Sequence, residues 1–229
     1  MTGTQHIQAI VFDFDGLILD TETAWYEAFA EIYRERGAHL PIELWAQIVG
    51  TQDDRPFDPC DYLAECTGQP APRQETWELG RQKHIVLMQG KTTRPGVLDY
   101  LAAAKELGLK IGLASSSDRE WVLSHLEQHN LLHHFEVIRT RDDVRKTKPD
   151  PELYLQALEA LGVEPSRAIA FEDSPNGVQA AKRAGMYGVI VPNELTGRFT
   201  FGEHDLRLNS MADMPLAQVI HRLTSFDSL

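Results

Sequence analysis

The chain has 229 residues, 42% hydrophobic and 24% charged, with a formal net charge of −12. This is the profile of a soluble globular protein, long enough for one large domain or a core domain with an insert. So acidic a surface repels nucleic-acid backbones, which excludes DNA and RNA as expected partners. No apolar run approaches the roughly 20 residues that a membrane span needs, so no membrane association is expected. The polar start of the chain lacks the basic and apolar regions of a secretory signal. Cys60 and Cys66 have no second pair to complete a zinc site, and one bridge would not make a disulfide framework. The expectation is a cytoplasmic protein with two reduced thiols, taken as a monomer by default.

In chain order, Ala9-Ile10-Val11-Phe12 is a continuous apolar run, as a strand buried on both faces would be. From about residue 21 to 93 only helical patterns follow. Trp25, Ala28, Phe29, Ile32 and Tyr33 make one face of a helix that stops at Gly37. Further helical pieces are expected at 44–49 and 61–65, with a longer one at 77–88; Pro56, Pro59, Pro70 and Pro72 punctuate the stretch. Beyond Pro95-Gly96 the rhythm changes. Apolar runs at 109–114, 135–138, 168–171 and 187–191 alternate with helical patterns at 97–107, 119–129, 152–161 and 175–184. Gly108, Asn130, Gly162 and Gly185 stand where those helices should end. Residues 205–209 could add an edge strand and 216–223 a last helix. The fold class expected is α/β: a Rossmann-like parallel-sheet core, residues 1–20 and 94–229, interrupted by a helical cap at 21–93.

In an open parallel sheet, ligands bind where the strands end at their carboxyl side. Asp13, Phe14, Asp15 and Gly16 follow the first run, and Ser115, Ser116 and Ser117 follow the second. Lys148-Pro149-Asp150 precedes the helix at 152, and Glu172 and Asp173 follow the run at 168–171. Each has an ordinary reading by itself. Asp15-Gly16 is a turn signal, the serines and Asp118 suit a helix cap, Lys148 could be solvated, and Glu172-Asp173-Ser174 could be another cap. Together they place four carboxylates, a hydroxyl cluster and one ammonium on one rim. Mutual repulsion there raises carboxylate pKa values or requires a cation. A hard divalent ion with oxygen ligands, such as magnesium, meets that requirement.

These motifs resemble, in order, the four signatures of the haloacid dehalogenase superfamily of phosphohydrolases: Asp13-Phe-Asp15-Gly, Ser115, Lys148 and Glu172-Asp173. Asp20-Thr21-Glu22, Lys148-Pro149-Asp150-Pro151 and Glu172-Asp173-Ser174-Pro175-Asn176-Gly177 are similar to its β-phosphoglucomutase-like branch in particular. The resemblance implies Asp13 as nucleophile, forming an aspartyl phosphate, and Asp15 as general acid and then base. It implies Mg2+ held by the Asp13 side chain, the Asp15 carbonyl and Asp173, with Glu172 direct or through water. Lys148, the Ser115 hydroxyl and the Ser116 amide would hold phosphoryl oxygens.

The expected function is therefore magnesium-dependent hydrolysis of a small phosphorylated metabolite such as a sugar phosphate. An acid at Asp15 is missing from the superfamily's dehalogenases and phosphonate hydrolases, which disfavours those chemistries. A phosphomutase and a non-catalytic phosphate-binding protein remain as alternatives. Mutases of the resembling branch carry a histidine where this chain has Trp25, and an arginine where it has Asp53; Arg55 stands two residues on. Specificity is expected in the cap, around Trp25, Gly50, Asp53 and Arg55.

Overall fold

The structure is a computed structural model that describes residues 6–49 and 57–225. It divides into two compact units: Met1–Leu19 with Thr92–Asn193 and Thr200–Leu229, and Asp20–Lys91 with Glu194–Phe199. Among the described residues, no helix is long and apolar enough to cross a membrane.

The first unit is built on six strands: β1 (Ala9–Phe12), β2 (Lys110–Ala114), β3 (Val137–Arg139), β4 (Ala168–Glu172), β5 (Tyr187–Ile190) and β6 (Leu206–Arg207). They form one sheet in the order β3-β2-β1-β4-β5-β6, every pairing parallel. The edge strand expected at 205–209 shortens to two residues. Five helices of this unit are α5 (Val97–Glu106), α6 (Arg119–Gln128), α7 (Glu152–Leu161), α8 (Pro175–Arg183) and α9 (Leu216–Ser225). They follow the helices of the second unit in the chain, from which their numbering continues. Gly162 ends α7 in the left-handed conformation, and Asn130 does the same just past α6 with φ 55°, which asparagine tolerates.

The two central strands carry a division of side-chain size that follows from the period of two. In register, Ala9 pairs with Ala168 and Val11 with Ala170, while Ile10 pairs with Ile169 and Phe12 with Phe171. The small residues belong to a core with Leu153, Ala157, Leu158 and Leu161 of α7 and Ala180 and Ala181 of α8. On the large side, Phe12 stacks on Phe171 with centroids 5.5 Å apart, and Tyr100 of α5 meets Phe171 edge-on at 5.2 Å. Small side chains admit helices close to the sheet, whereas large ones fill a deeper layer. Complete burial of one such aromatic stabilises by about 1.5–3 kcal/mol.

The second unit contains α1 (Thr21–Glu35), α2 (Ile42–Trp45), α3 (Pro59–Thr67) and α4 (Arg73–Met88), and no strand among its described residues. Asp20 caps α1 by accepting from Thr23 N, and Asp58 caps α3 by accepting from the amides of Cys60 and Asp61. Its core gathers Phe29, Ile32, Tyr33, Leu40, Trp45, Leu63 and, from the separate segment, Leu195. Phe29 lies 4.7 Å from the Trp77 ring and 4.8 Å from the Trp45 ring. Gly80 of α4 opens the space for it, since a Cβ there would stand 2.7 Å from Phe29 Cε2.

Candidate active site

The parallel sheet delivers the chain to one rim at each strand end, and the backbone bonds that close the rim extend the ladder by one residue. Asp13 N donates to Phe171 O at 3.0 Å, Ser115 N to Arg139 O at 2.9 Å, and Val191 N to Glu172 O at 2.7 Å. Asp13, Ser115, Lys148, Glu172 and Asp173 are all buried there.

Lys148 organises the centre. Its ammonium donates to Asp13 Oδ1 at 2.5 Å, to Ala114 O at 2.7 Å, and pairs with Glu172 Oε1 at 2.6 Å. Those three acceptors match the three hydrogens of an ammonium. The solvated reading of Lys148 is thereby excluded. Tyr154, on the core-facing side of α7, donates its hydroxyl to Glu172 Oε1 at 2.5 Å. Burial and the adjacent carboxylates push the Tyr154 phenol well up, which keeps it a donor. Behind Glu172 stands Gly177 of α8, where a Cβ would come 1.9 Å from Oε2. The Glu172 carboxylate is thus fixed from several sides.

The charge balance of this cluster is uneven. Oxygens of Asp13, Glu172 and Asp173 lie within 4.8 Å of one another, all buried, and Lys148 is the buried cation beside them. Burial pushes Asp13 up to about 8 against the pull of Lys148, with Glu172 and Asp15 adding to the rise. Burial alone would depress Lys148, but Asp13 and Glu172 hold it above its ordinary value. Three carboxylates against one ammonium is the donor set and the charge deficit that a hard divalent cation fits.

Asp15 occupies a different environment. It is half-buried, in a tight turn closed by Gly16 N donating to Leu19 O at 2.7 Å. Ser117 Oγ donates to Asp15 Oδ2 at 2.6 Å, Ser115 Oγ lies 3.5 Å from the same oxygen, and Trp121 Nε1 donates to Oδ1 at 2.9 Å. Gly16 has φ 80°, and a Cβ there would fall 2.2 Å from Asp173 Oδ2, so the turn needs glycine on both counts. Asp173 Oδ2 in turn accepts from Asn193 Nδ2 at 2.8 Å. Arg94 ties the same turn to the end of β5, donating to the carbonyls of Gly16 at 2.6 Å, Val191 at 2.9 Å and Pro192 at 2.7 Å.

Buried carboxylates, an ammonium and hydroxyls thus meet at the carboxyl rim of a parallel sheet. The family model of haloacid dehalogenase-like hydrolases matches residues 10–191. This chain belongs to that family. YhcW of Bacillus subtilis (strain 168), provisionally named a phosphatase, is 52% identical over 219 residues, covering 96% of this chain and 99% of the relative. The phosphorylated carbohydrates phosphatase of Thermotoga maritima is 32% identical over 187 residues, covering 80% and 86%. A crystal structure from Thermotoga maritima, provisionally described as a beta-phosphoglucomutase, superimposes with TM-score 0.73 at 25% identity, covering 97% of this chain and all (100%) of that one. The chain is accordingly a phosphatase of the haloacid dehalogenase superfamily, in its β-phosphoglucomutase-like branch.

Within this family member, Asp13, Asp15, Ser115, Ser116, Lys148, Glu172 and Asp173 sit on consecutive stretches of one rim. Asp118 begins α6 without a side-chain cap bond and pairs instead with Arg141. Trp25 belongs to the helical unit, where its ring stacks on His84 with centroids 4.2 Å apart and planes 17° from parallel. Gly50, Asp53 and Arg55 lie outside the described residues. Trp121, Tyr154, Asn193 and Arg94 escaped the reading of the sequence, whereas Ser117 was named only as a member of the hydroxyl cluster. The one available signal for the others was position: Asn193 follows β5 by a few residues.

Proposed function

We propose that the protein is a magnesium-dependent phosphatase that hydrolyses a small phosphorylated metabolite, a sugar phosphate by class, through an aspartyl phosphate on Asp13. The observation that carries this reading is the contrast between the two aspartates of one strand end. Asp13 is buried on an ammonium, whereas Asp15 is half-buried on neutral donors. Two environments suit two roles, one carboxylate for attack and one for proton transfer. The relative named for phosphorylated carbohydrates supports the substrate class.

In the first half-reaction an Asp13 oxygen bonds to phosphorus, and the bond from phosphorus to the leaving oxygen breaks. The electron pair stays on that oxygen, which takes a proton from Asp15. In the second half-reaction water attacks phosphorus and loses a proton to Asp15; the acyl-phosphate bond breaks and its pair returns to Asp13. Lys148 and the Ser115 hydroxyl, with the Ser116 amide, stabilise charge on the phosphoryl oxygens. Asp13, Asp173 and the Asp15 carbonyl, with Glu172 direct or through water, are the residues that would hold magnesium. When bound, the ion offsets the repulsion between an anionic nucleophile and an anionic phosphate.

Phosphate release from a panel of phosphorylated metabolites, with magnesium, tests the reading; no release from any sugar phosphate would count against it. The mutase alternative draws on the beta-phosphoglucomutase neighbour. It needs the protein to hold a bisphosphate, and Trp25 and Asp53 do not supply the proton relay or the cation expected for that. Incubation with β-glucose 1-phosphate and catalytic β-glucose 1,6-bisphosphate separates the two. Glucose 6-phosphate forming far faster than free phosphate would overturn hydrolysis in favour of the mutase.

A further inference from the structure

Trp121 is the third residue of α6, and its indole N–H points at the rim rather than into the helix–sheet core, donating to Asp15 Oδ1 at 2.9 Å. The ring is held from behind. His125, one turn on, packs against it with centroids 4.1 Å apart and places Nδ1 2.9 Å from Trp121 O; Phe14 meets His125 edge-on at 6.1 Å. The start of α6 is fastened as well. Arg119 donates to both Asp143 oxygens at 2.6 and 2.7 Å, and its amide donates to Asp142 Oδ2 at 2.7 Å.

An indole N–H can only donate, whereas a serine hydroxyl can donate or accept. A proton on Asp15 Oδ1 would weaken that acceptor and crowd the indole hydrogen. On Oδ2 it faces Ser117 Oγ, which can turn and accept it. Oδ2 is also the oxygen nearest Ser115 Oγ, at 3.5 Å, the hydroxyl assigned above to the phosphoryl group. We propose that Trp121 is a positioning residue for the acid/base step: by pinning Oδ1 of Asp15 it makes Oδ2 the oxygen that carries the proton to the leaving group and collects it from water. The inference rests on the acid/base role of Asp15 given under the proposed function.

Trp121→Phe keeps an aromatic ring against His125 and removes the N–H. With magnesium, single-turnover quench measures aspartyl-phosphate formation from phenyl phosphate and from 4-nitrophenyl phosphate. The more basic phenolate needs the proton more. General acid catalysis as a whole contributes about 10²–10⁴-fold. A displaced acid should therefore cost phenyl phosphate roughly tenfold more than it costs 4-nitrophenyl phosphate. Asp15→Ala is run alongside. If Asp15→Ala lacks this leaving-group signature, the acid/base reading falls and the inference with it. If Asp15→Ala has the signature while Trp121→Phe loses both rates equally, or neither, the positioning role alone is overturned. The hydrogen bond has its own readout in the indole N–H resonance of Trp121, assigned by its absence in Trp121→Phe or, should that variant not fold, in Trp121→His. Asp15→Asn should shift this resonance, and an unmoved signal would overturn the proposal whatever the rates.

Discussion

Two glycines show how differently the two units are held. Gly177 backs onto the Glu172 carboxylate, and Gly80 backs onto the edge of the Phe29 ring. Both are close approaches that a methyl group would obstruct. The ring, however, sits in a cluster of other rings that can tilt together, whereas the carboxylate is fixed by directional bonds from Tyr154 and Lys148. Packing yields to small displacements at modest cost, while a buried charge that loses its partners is expensive. The sheet rim is therefore held by directional polar bonds, and the helical unit by the packing of rings.

The sharpest way to break this contrast is to remove the rim's nucleophile. Asp13→Asn should abolish phosphate release, by about 10⁴-fold or more in kcat, because an amide cannot form the acyl phosphate. Near wild-type turnover would end the assignment. Metal removal comes next. Excess chelator should stop turnover and added magnesium should restore it, while calcium, with its looser coordination, should restore little; full activity in chelator would refute the need for a cation.

The glycines test the comparison itself. Gly177→Ala should lower both thermal midpoint and kcat, since the added methyl displaces Glu172 and, through it, Lys148. Gly80→Ala should cost about 1 kcal/mol, which in a chain of this size lowers the midpoint by roughly 2–4 °C. Its turnover of 4-nitrophenyl phosphate should stay within about twofold, since the added methyl meets the Phe29 ring of its own unit and none of the rim residues. Equal effects of the two substitutions on kcat would erase the distinction between the units.

The last expected effect is on how stability depends on pH. Asp13 rises from 3.8 to about 8 on folding, so the folded state binds more protons than the unfolded state between those values. Stability of the metal-free protein therefore falls as pH climbs from about 4 to about 8. Asparagine carries no such penalty. In chelator, Asp13→Asn should melt a few degrees above wild type at pH 8 and show no gain near pH 4. Magnesium should shrink the difference by stabilising the wild type.

The sheet and the main acids could be read from the sequence because in a parallel fold they come as a pair: a largely apolar run, then polar residues at its end. Asp13, Ser115 and Glu172-Asp173 each obey that order. Lys148 follows no such run, and its place rested on the motif order. The residues that escaped are those whose role exists only in three dimensions. Tyr154 reads as one more member of the α7 core stripe, and Trp121 as part of an amphipathic helix. Arg94 reads as punctuation before Pro95-Gly96, since nothing local reveals that its guanidinium collects three distant carbonyls. The segment 194–199, which packs with the helical unit, carries no periodicity at all. The strand at 205–209 shortened because only Leu206 and Arg207 pair with β5.

The point where the chain leaves the sheet unit has a consequence for how this enzyme could be altered. Arg94 N donates to Ile18 O at 2.9 Å, so the excursion that starts after Leu19 returns to almost the place it left. In polymer terms it is a loop whose ends are already clasped. The entropy of closing such a loop grows only with the logarithm of its length, about 0.6 kcal/mol per doubling. A longer, shorter or foreign segment spliced between Leu19 and Thr92 would thus leave the ring-closing cost nearly unchanged. The clasp keeps the ends of this stretch in place whatever its length, but an exchanged segment must also supply the surface on which Leu195, from residues 194–199, packs.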